Sequence, residues 1–283
     1  MTGTLGEVST RTVGGRTLRV AIRRGDGSRT PLLLLNGIGA RLEMLEPFVE
    51  ALPRELEVIR FDVPGVGGSP RPRMPYHMAT FALTVGKLVR ELGYGKVDVL
   101  GYSWGGGLAQ QTALTGRDRV RRLVLVATGT GSLMVPARPA VLSKMLTPRR
   151  YRDPAYAAQV AGEIYGGSMR THPERAARLL QSSDDGDPAG YERGYLYQLL
   201  AGAGWTTLPV LRLIAARTLI VSGDDDPIIP LVNARVLRRG IPDSHLHVYR
   251  GGHLALLTES HELAPVIDRF LAAPPRGGAH RTA

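Results

Sequence analysis

Short apolar runs alternate with amphipathic stretches along the first half of the chain. Each apolar run is six to eight residues long, a length typical of a strand that is buried on both faces. Between the runs, apolar residues recur at the spacing of one helix face. The strand-like runs are PLLLLN (31–36), LEVIRFD (56–62), KVDVLGYS (96–103) and RRLVLVAT (121–128), and the helical stretches lie near 41–52, 78–92 and 104–116.

The same alternation returns near the C-terminus. Strands that alternate with helices predict a parallel sheet with helices on both faces, so the predicted class is α/β. Residues 7–24 differ, because two stretches rich in Thr, Val and Arg surround a Val-Gly-Gly turn and predict a hairpin. The late elements are strands at TLIVSG (218–223) and HLHVYR (245–250) and helices at 230–240 and 261–272.

The segment 131–214 interrupts this alternation. It contains several prolines, clustered aromatic residues and helical stretches without a clear buried strand. An insertion of this kind lies over the carboxyl ends of the strands, where ligands bind in α/β sheets. We therefore expect a core built from 1–130 and 215–275, a mainly helical cap at 131–214, and a disordered tail at 276–283.

Composition narrows the class of protein further. A chain of 283 residues, of which 43% are hydrophobic, suits one catalytic domain with an inserted subdomain. No apolar run is long enough to predict a transmembrane segment, and the first residues lack the pattern of a secretory signal, which favours a cytoplasmic protein. The absence of cysteine excludes disulfides, thiolate metal sites and a cysteine nucleophile.

The formal net charge is +11, and most of the positive residues are arginines. A positive charge of this size makes nucleic acid or an anionic surface a candidate partner. No nucleic-acid-binding motif accompanies it, so we interpret the arginines as a solvated surface and predict no nucleic-acid partner. A purely electrostatic attraction to an anionic particle surface stays open.

The sequence GYSWGG (101–106) carries the strongest chemical signal. It is a G-x-S-x-G motif at the point where a predicted strand ends and a helix begins. A serine in such a turn is raised above the edge of the sheet on a strained backbone, where it can act as a nucleophile. Ser103 is therefore the candidate nucleophile.

A serine needs a base, and serine hydrolases built on a parallel sheet place an acid and then a histidine after it in the chain. GDDDP (223–227) and RGGH (250–253) each follow a predicted strand, so both lie at the same sheet edge as Ser103. His253 is the candidate base. The candidate acids at this point are Asp224, Asp225 and Asp226.

Neither a metal nor a cofactor is predicted. His245 and His247 alternate along one strand, but no third ligand accompanies them. Dinucleotide, P-loop, zinc and EF-hand motifs are absent from the sequence. The FDVPGVGGS segment (61–69) is interpreted as a tight structural loop.

A tetrahedral intermediate at Ser103 would need two hydrogen-bond donors for its oxyanion. The first is the main-chain N–H of Trp104, the residue after the nucleophile. The second is expected from the loop NGIGA (36–40), where the N–H of Ile38 is the candidate.

Together these motifs resemble the α/β-hydrolase superfamily, and more narrowly the intracellular medium-chain-length poly(3-hydroxyalkanoate) depolymerases. The narrower resemblance rests on motifs of the core and of the insertion. They are LLLLNGIGARLE (32–43), FDVPGVGGSP (61–70), SWGGGLAQQ (103–111), TPRRY (147–151), IYGG (164–167), YLYQLLAGAGWT (195–206), GDDDPIIPL (223–231) and GGHLALLT (251–258).

The resemblance implies an α/β-hydrolase fold, which is a mostly parallel sheet flanked by helices with a mainly helical cap. Its G-x-x-D spacing selects Asp226 as the acid and leaves the two preceding aspartates as turn or solvated residues. It implies no cofactor, and it places Asn36, Tyr102 and Trp205 among the substrate-binding residues. Tyr102 departs from the family, in which this position is smaller.

The implied function is ester hydrolysis of a stored polyester through an acyl-enzyme at Ser103. The expected partner is a hydrophobic polyester granule or another lipid-like ester, with the enzyme at storage granules in the cytoplasm. Nine apolar or aromatic residues of the insertion are expected to divide between its own packing and an apolar cleft above Ser103. They are Met134, Met145, Tyr151, Tyr156, Ile164, Tyr165, Tyr195, Tyr197 and Trp205.

Other functions use the same scaffold. A general carboxylesterase or lipase would share the triad, and so would a C–C bond hydrolase or a cofactor-free haloperoxidase-like enzyme. Epoxide hydrolases and dehalogenases of this fold carry aspartate as the nucleophile, and the related polyester synthases carry cysteine, so Ser103 argues against both. A non-catalytic granule-coating protein would be expected to have a damaged triad.

Overall fold

The computed structural model describes residues 6–180 and 188–274, and it contains one sheet of eight strands. The apolar runs form the strands at its centre, and β3 and β4 are buried at every position. The strands are β1 (Glu7–Val13), β2 (Arg16–Arg23), β3 (Leu32–Leu35), β4 (Val58–Phe61), β5 (Val97–Tyr102), β6 (Val120–Val126), β7 (Arg217–Gly223) and β8 (Ser244–Tyr249).

The strands lie in the order β1-β2-β4-β3-β5-β6-β7-β8. The first two pair as the predicted antiparallel hairpin, and β2 also runs antiparallel to β4. All the remaining neighbours are parallel. The predicted mostly parallel sheet is confirmed, and the loops that follow β3, β5, β7 and β8 meet at one edge.

Helices cover both faces of the sheet and fill the insertion between β6 and β7. The predicted helix at 41–52 is two elements, a 3₁₀ turn at Leu42–Leu45 and then α1, because Pro47 is favourable in the first turn of a new helix. The helices are α1 (Glu46–Ala51), α2 (Met78–Glu91), α3 (Trp104–Thr115), α4 (Pro139–Met145), α5 (Arg149–Arg152), α6 (Pro154–Tyr165), α7 (Glu174–Leu180), α8 (Pro188–Gly202), α9 (Leu231–Gly240), α10 (Ala255–Thr258) and α11 (Ser260–Ala272).

Successive residues of a strand belong to two different apolar clusters, one on each face of the sheet, because side chains point to alternate faces along a strand. Leu34 belongs to the cluster that includes Phe48 of α1 and Ile267 of α11. Leu33 belongs to the other, with Phe81 of α2 and Leu108 of α3. Burial of these side chains, at about 1.5–3 kcal/mol each, is the main stabilisation of both layers.

The insertion packs onto the first of these clusters. Val141, Val160 and Ile164 share it with Leu34, so the cap and the core are continuous in their apolar packing. We keep 131–214 as the cap, with 1–130 and 215–275 as the core, as an interpretation. The tail predicted at 276–283 lies outside the described residues. No helix within 6–180 or 188–274 is long and apolar enough to cross a bilayer.

Candidate active site

Ser103 occupies the sharp turn between β5 and α3. Its φ is 54° and its ψ is −118°, a backbone conformation that is strained for a residue with a side chain. The turn is held on both sides, since the N–H of Ser103 donates to the carbonyl of Val126 (2.9 Å) and the Thr128 hydroxyl donates to the carbonyl of Ser103 (2.8 Å). The strain therefore persists because the end of β6 and the residues just after it fix both main-chain polar groups of Ser103.

The glycine after Trp104 is required by a close approach of two backbones. A Cβ atom placed on Gly105 would lie 2.1 Å from the carbonyl oxygen of Leu35, at the end of β3. Any side chain would separate the first turn of α3 from the neighbouring strand. The motif thus lets the helix start directly beside the sheet edge, with Ser103 above it.

His253 connects Ser103 to Asp226. Its Nε2 lies 3.0 Å from Ser103 Oγ, and its Nδ1 lies 2.7 Å from Asp226 Oδ2. The carboxylate can only accept a hydrogen bond, so the proton of the neutral imidazole is on Nδ1, and Nε2 is free to accept the serine proton. The other Asp226 oxygen accepts from the N–H groups of Ile228 and Ile229, both at 2.9 Å, which fixes the carboxylate.

The main chain of His253 is also fully bonded. Its N–H donates to the carbonyl of Tyr165 (2.7 Å), and its carbonyl accepts from the Tyr102 hydroxyl (2.9 Å). The rings of Tyr102 and Tyr165 lie 5.4 and 6.5 Å from the imidazole, measured between centroids. Burial raises the pKa of the Tyr102 and Tyr165 hydroxyls, so Tyr102 is a neutral donor at neutral pH.

The three adjacent aspartates have three different partners. Only Asp226 reaches the imidazole. Asp224 Oδ1 accepts from the N–H of Gly251 at 3.0 Å, and Asp225 binds the N–H of Gly167 and the Arg170 guanidinium. The ion pair with Arg170 lowers the pKa of the Asp225 carboxyl. Asp224 and Asp225 lie in a turn, as expected, and Asp224 is exposed. Their hydrogen bonds also join the loop at 223–227, here called the acid loop, to other segments.

The loop after β3 lies against Ser103, the predicted nucleophile. A Cβ atom placed on Gly37 would be 3.6 Å from Ser103 Cβ. Asn36 shapes this loop, since its Oδ1 accepts from the N–H of Gly37 (2.8 Å) and its Nδ2 donates to the carbonyl of Arg41 (2.7 Å). Among the described residues, no hydrogen-bond acceptor is found for the N–H groups of Ile38 and Trp104, and their role as oxyanion donors stays a prediction.

Three side chains of the insertion hold the same loop. The Tyr151 hydroxyl donates to the carbonyl of Ile38 (2.8 Å), and the Tyr191 hydroxyl donates to the carbonyl of Gly39 (2.6 Å). The side-chain oxygen of Gln198 accepts a hydrogen bond from the N–H of Gly39 (2.7 Å). The main-chain carbonyl of Gln198 accepts one from the Trp104 indole N–H (2.9 Å). Sequence reasoning missed these roles, and its only signals were the motifs that contain Tyr151 and Gln198.

The predicted substrate-binding residues occupy two places. Asn36 and Tyr102 are buried beside the nucleophile and already bonded to protein groups. Trp205 packs near Gly107 in the first turns of α3 and donates to the Gln111 side chain at 2.8 Å. Contact of the three with substrate stays a prediction. In the part of the chain that the structure describes, no group of three or more His, Asp or Glu side chains is arranged to hold a metal ion.

Comparison with known proteins places this geometry in a family. A family model described as the alpha/beta hydrolase fold matches residues 30–260. A poly(3-hydroxyalkanoate) depolymerase of Ectopseudomonas oleovorans is 47% identical over 256 residues, which are 90% of this chain and 89% of that protein. A 2-hydroxy-6-oxononadienedioate/2-hydroxy-6-oxononatrienedioate hydrolase of Klebsiella pneumoniae is 31% identical over 277 residues, 92% of this chain and 93% of that protein.

Solved structures agree on the architecture. An enol-lactonase from Burkholderia xenovorans LB400 superposes with a TM-score of 0.78 at 23% identity, covering 94% of this chain and 100% of the other. At that identity the likeness concerns the fold alone. The family match spans the core and the insertion and confirms the resemblance carried by the motifs: this chain belongs to the α/β-hydrolase family and is related to a poly(3-hydroxyalkanoate) depolymerase.

Proposed function

We propose that this chain is a serine esterase that hydrolyses the ester bonds of medium-chain-length poly(3-hydroxyalkanoate). The observation that carries the proposal is the continuous hydrogen-bonded line from Ser103 through His253 to Asp226. It occurs in a chain that is 47% identical to a protein named as a poly(3-hydroxyalkanoate) depolymerase.

The proposed reaction is acyl transfer in two steps. His253 removes the proton of Ser103 as the oxygen attacks the ester carbonyl, and Asp226 stabilises the imidazolium. The N–H groups of Ile38 and Trp104 bind the oxyanion. His253 then protonates the departing alcohol, and water repeats the sequence to release the 3-hydroxy acid and free Ser103.

The preference for medium-length side chains is argued from the insertion. Of the nine residues expected to divide between packing and cleft, Tyr151, Ile164, Tyr165 and Tyr195 are buried and serve packing. The other five are partly exposed, and they are the candidates for an apolar cleft wall. They are Met134, Met145, Tyr156, Tyr197 and Trp205.

Association with a polyester granule is supported by exposed apolar pairs on two cap helices. Leu142 of α4 and Leu146, the C-cap residue that follows this helix, are 40% and 66% exposed, and Leu196 and Leu200 on α8 are 50% and 45% exposed. Residues four apart share one helix face, so each pair presents a small apolar stripe. Such stripes favour adhesion to a hydrophobic particle, and we propose that the enzyme acts at storage granules in the cytoplasm.

Two other activities follow from the same geometry. The first is hydrolysis of small esters by a general carboxylesterase or lipase, which would use the same residues. The second is C–C bond hydrolysis, because the 31% identical Klebsiella relative is named as a hydrolase of a different class of substrate. The triad chemistry alone does not separate these substrates.

The decisive experiment offers purified polymers and small substrates to one enzyme preparation. Emulsions of short- and medium-chain polyhydroxyalkanoate, soluble 4-nitrophenyl esters and a vinylogous 1,5-diketone are compared, with released 3-hydroxy acids measured by mass spectrometry. We expect release from the medium-chain polymer. Hydrolysis of 4-nitrophenyl esters without polymer release would indicate a general esterase, and turnover of the diketone alone would indicate a C–C bond hydrolase.

A further inference from the structure

The IYGG segment of the insertion packs backbone to backbone against the loop that carries His253. A Cβ atom placed on Gly167 would lie 2.2 Å from the main-chain nitrogen of Gly252, and one placed on Gly166 would lie 2.0 Å from the carbonyl oxygen of Asp225. Both glycines have positive φ, at 50° and 61°. Only glycine permits this contact, because any side chain would force the two loops apart.

Hydrogen bonds fix the same contact. The carbonyl of Tyr165 accepts the N–H of His253 at 2.7 Å. The N–H of Gly167 donates to Asp225 Oδ2 at 2.7 Å, and Arg170 donates to both oxygens of that carboxylate at 2.7 Å. The turn is therefore bonded to the histidine loop on one side and to the acid loop on the other.

We infer that the cap turn Tyr165–Gly167 is a positioning element for His253. The inference rests on the proposed function, in which His253 is the base. A backbone bond to His253 sets the height of the imidazole between Ser103 and Asp226, and a misplacement of about 1 Å at such a site can cost up to about 100-fold in rate.

The test variant is Gly167→Ala, and its matched control is Gly204→Ala. Gly204 also lies in the insertion with a positive φ of 72°, but a Cβ atom placed there meets nothing within 4 Å. Both substitutions impose the same kind of backbone strain, and only the first presses on the histidine loop. We expect kcat for 4-nitrophenyl octanoate to fall roughly 10- to 100-fold in Gly167→Ala and less than about twofold in Gly204→Ala.

Two further measurements distinguish a misplaced His253 from a damaged substrate-binding cleft. The inhibition constant of octanoate should stay within about twofold of wild type in both variants, because ground-state binding does not need His253. The rate of labelling by a small alkyl phosphonate should fall in parallel with kcat in Gly167→Ala alone, because activation of Ser103 does need His253. Equal kcat losses in both variants, or weaker octanoate binding at unchanged kcat, would overturn the inference.

A second pair of variants leaves the glycines intact, in case Gly167→Ala does not fold. Asp225→Ala removes one backbone N–H bond and one arginine pair from the turn, and Asp153→Ala removes the same kinds of bond from the start of α6. We expect kcat to fall about three- to tenfold in the first and less than about twofold in the second. Unchanged kcat in Asp225→Ala would count against the positioning role. Absence of phosphonate labelling in the wild type would instead defeat the proposed function itself.

Discussion

The hydroxyl of Tyr151 donates a hydrogen bond to the carbonyl of Ile38 across 2.8 Å. The two residues are 113 positions apart in the chain, and the bond joins the insertion to the loop that carries the proposed second oxyanion donor. A carbonyl held in this way fixes the peptide plane between Ile38 and Gly39. It acts on the N–H of Ile38, which lies in the preceding peptide plane, by restricting rotation about the φ and ψ angles of Ile38.

Removal of this hydroxyl is expected to weaken catalysis more than binding. Tyr151→Phe should lower kcat for 4-nitrophenyl octanoate about fivefold, the effect of losing roughly 1 kcal/mol of hydrogen bonding in the transition state. KM should change little. Tyr94→Phe is the control, because it removes a tyrosine hydroxyl bond to Glu57, which precedes β4 at the opposite edge of the sheet. An equal loss of kcat in both variants would contradict the role given to Tyr151.

Ser103 and His253 are expected to act as one unit. Ser103→Ala and His253→Ala should each lower kcat by about 10⁴ or more, and the double variant should lose little beyond either single variant. The measurement is steady-state hydrolysis by variants shown to be folded by circular dichroism. Retention of more than about a tenth of the activity by Ser103→Ala would end the serine-esterase proposal.

Asp226 and Asp224 should respond differently to substitution by asparagine. Asp226→Asn favours the wrong tautomer of His253 and should cost up to about 10⁴ in kcat. Asp224→Asn keeps an acceptor for the N–H of Gly251, so its cost should stay within about threefold. Comparing the two rates on one soluble ester checks the assignment, which fails if Asp224→Asn proves the more damaging.

The acyl chain length of the substrate should control the rate. Each methylene buried in an apolar cleft contributes about 0.8 kcal/mol, or roughly a fourfold gain in kcat/KM. In a series of 4-nitrophenyl esters from acetate to dodecanoate, kcat/KM should then rise by up to about two orders of magnitude between butanoate and octanoate. A preference for acetate, with no 3-hydroxy acid released from the medium-chain polymer, would leave a plain esterase.

The sequence alone determined the order of the elements and the edge at which the chemistry lies. Strand and helix periods are local properties, and β3, β5, β7 and β8 appear where the apolar runs predict them. Ser103, Asp226 and His253 each follow a strand end, and parallel strands bring such ends together. Local pattern and a known triad order were therefore enough to propose Ser103 and His253, and the G-x-x-D spacing of the resembling family was needed to choose Asp226 among three adjacent aspartates.

Only the tertiary structure decided what holds those residues in place. Nothing local distinguishes an aspartate that binds Arg170 from one that binds Gly251, because successive loop residues point in different directions. The contacts from Tyr165 to His253 and from Tyr151 to Ile38 join segments far apart in the chain. They depend on how the insertion packs over the sheet edge, and that packing is fixed by the fit of many side chains at once, which no local period encodes.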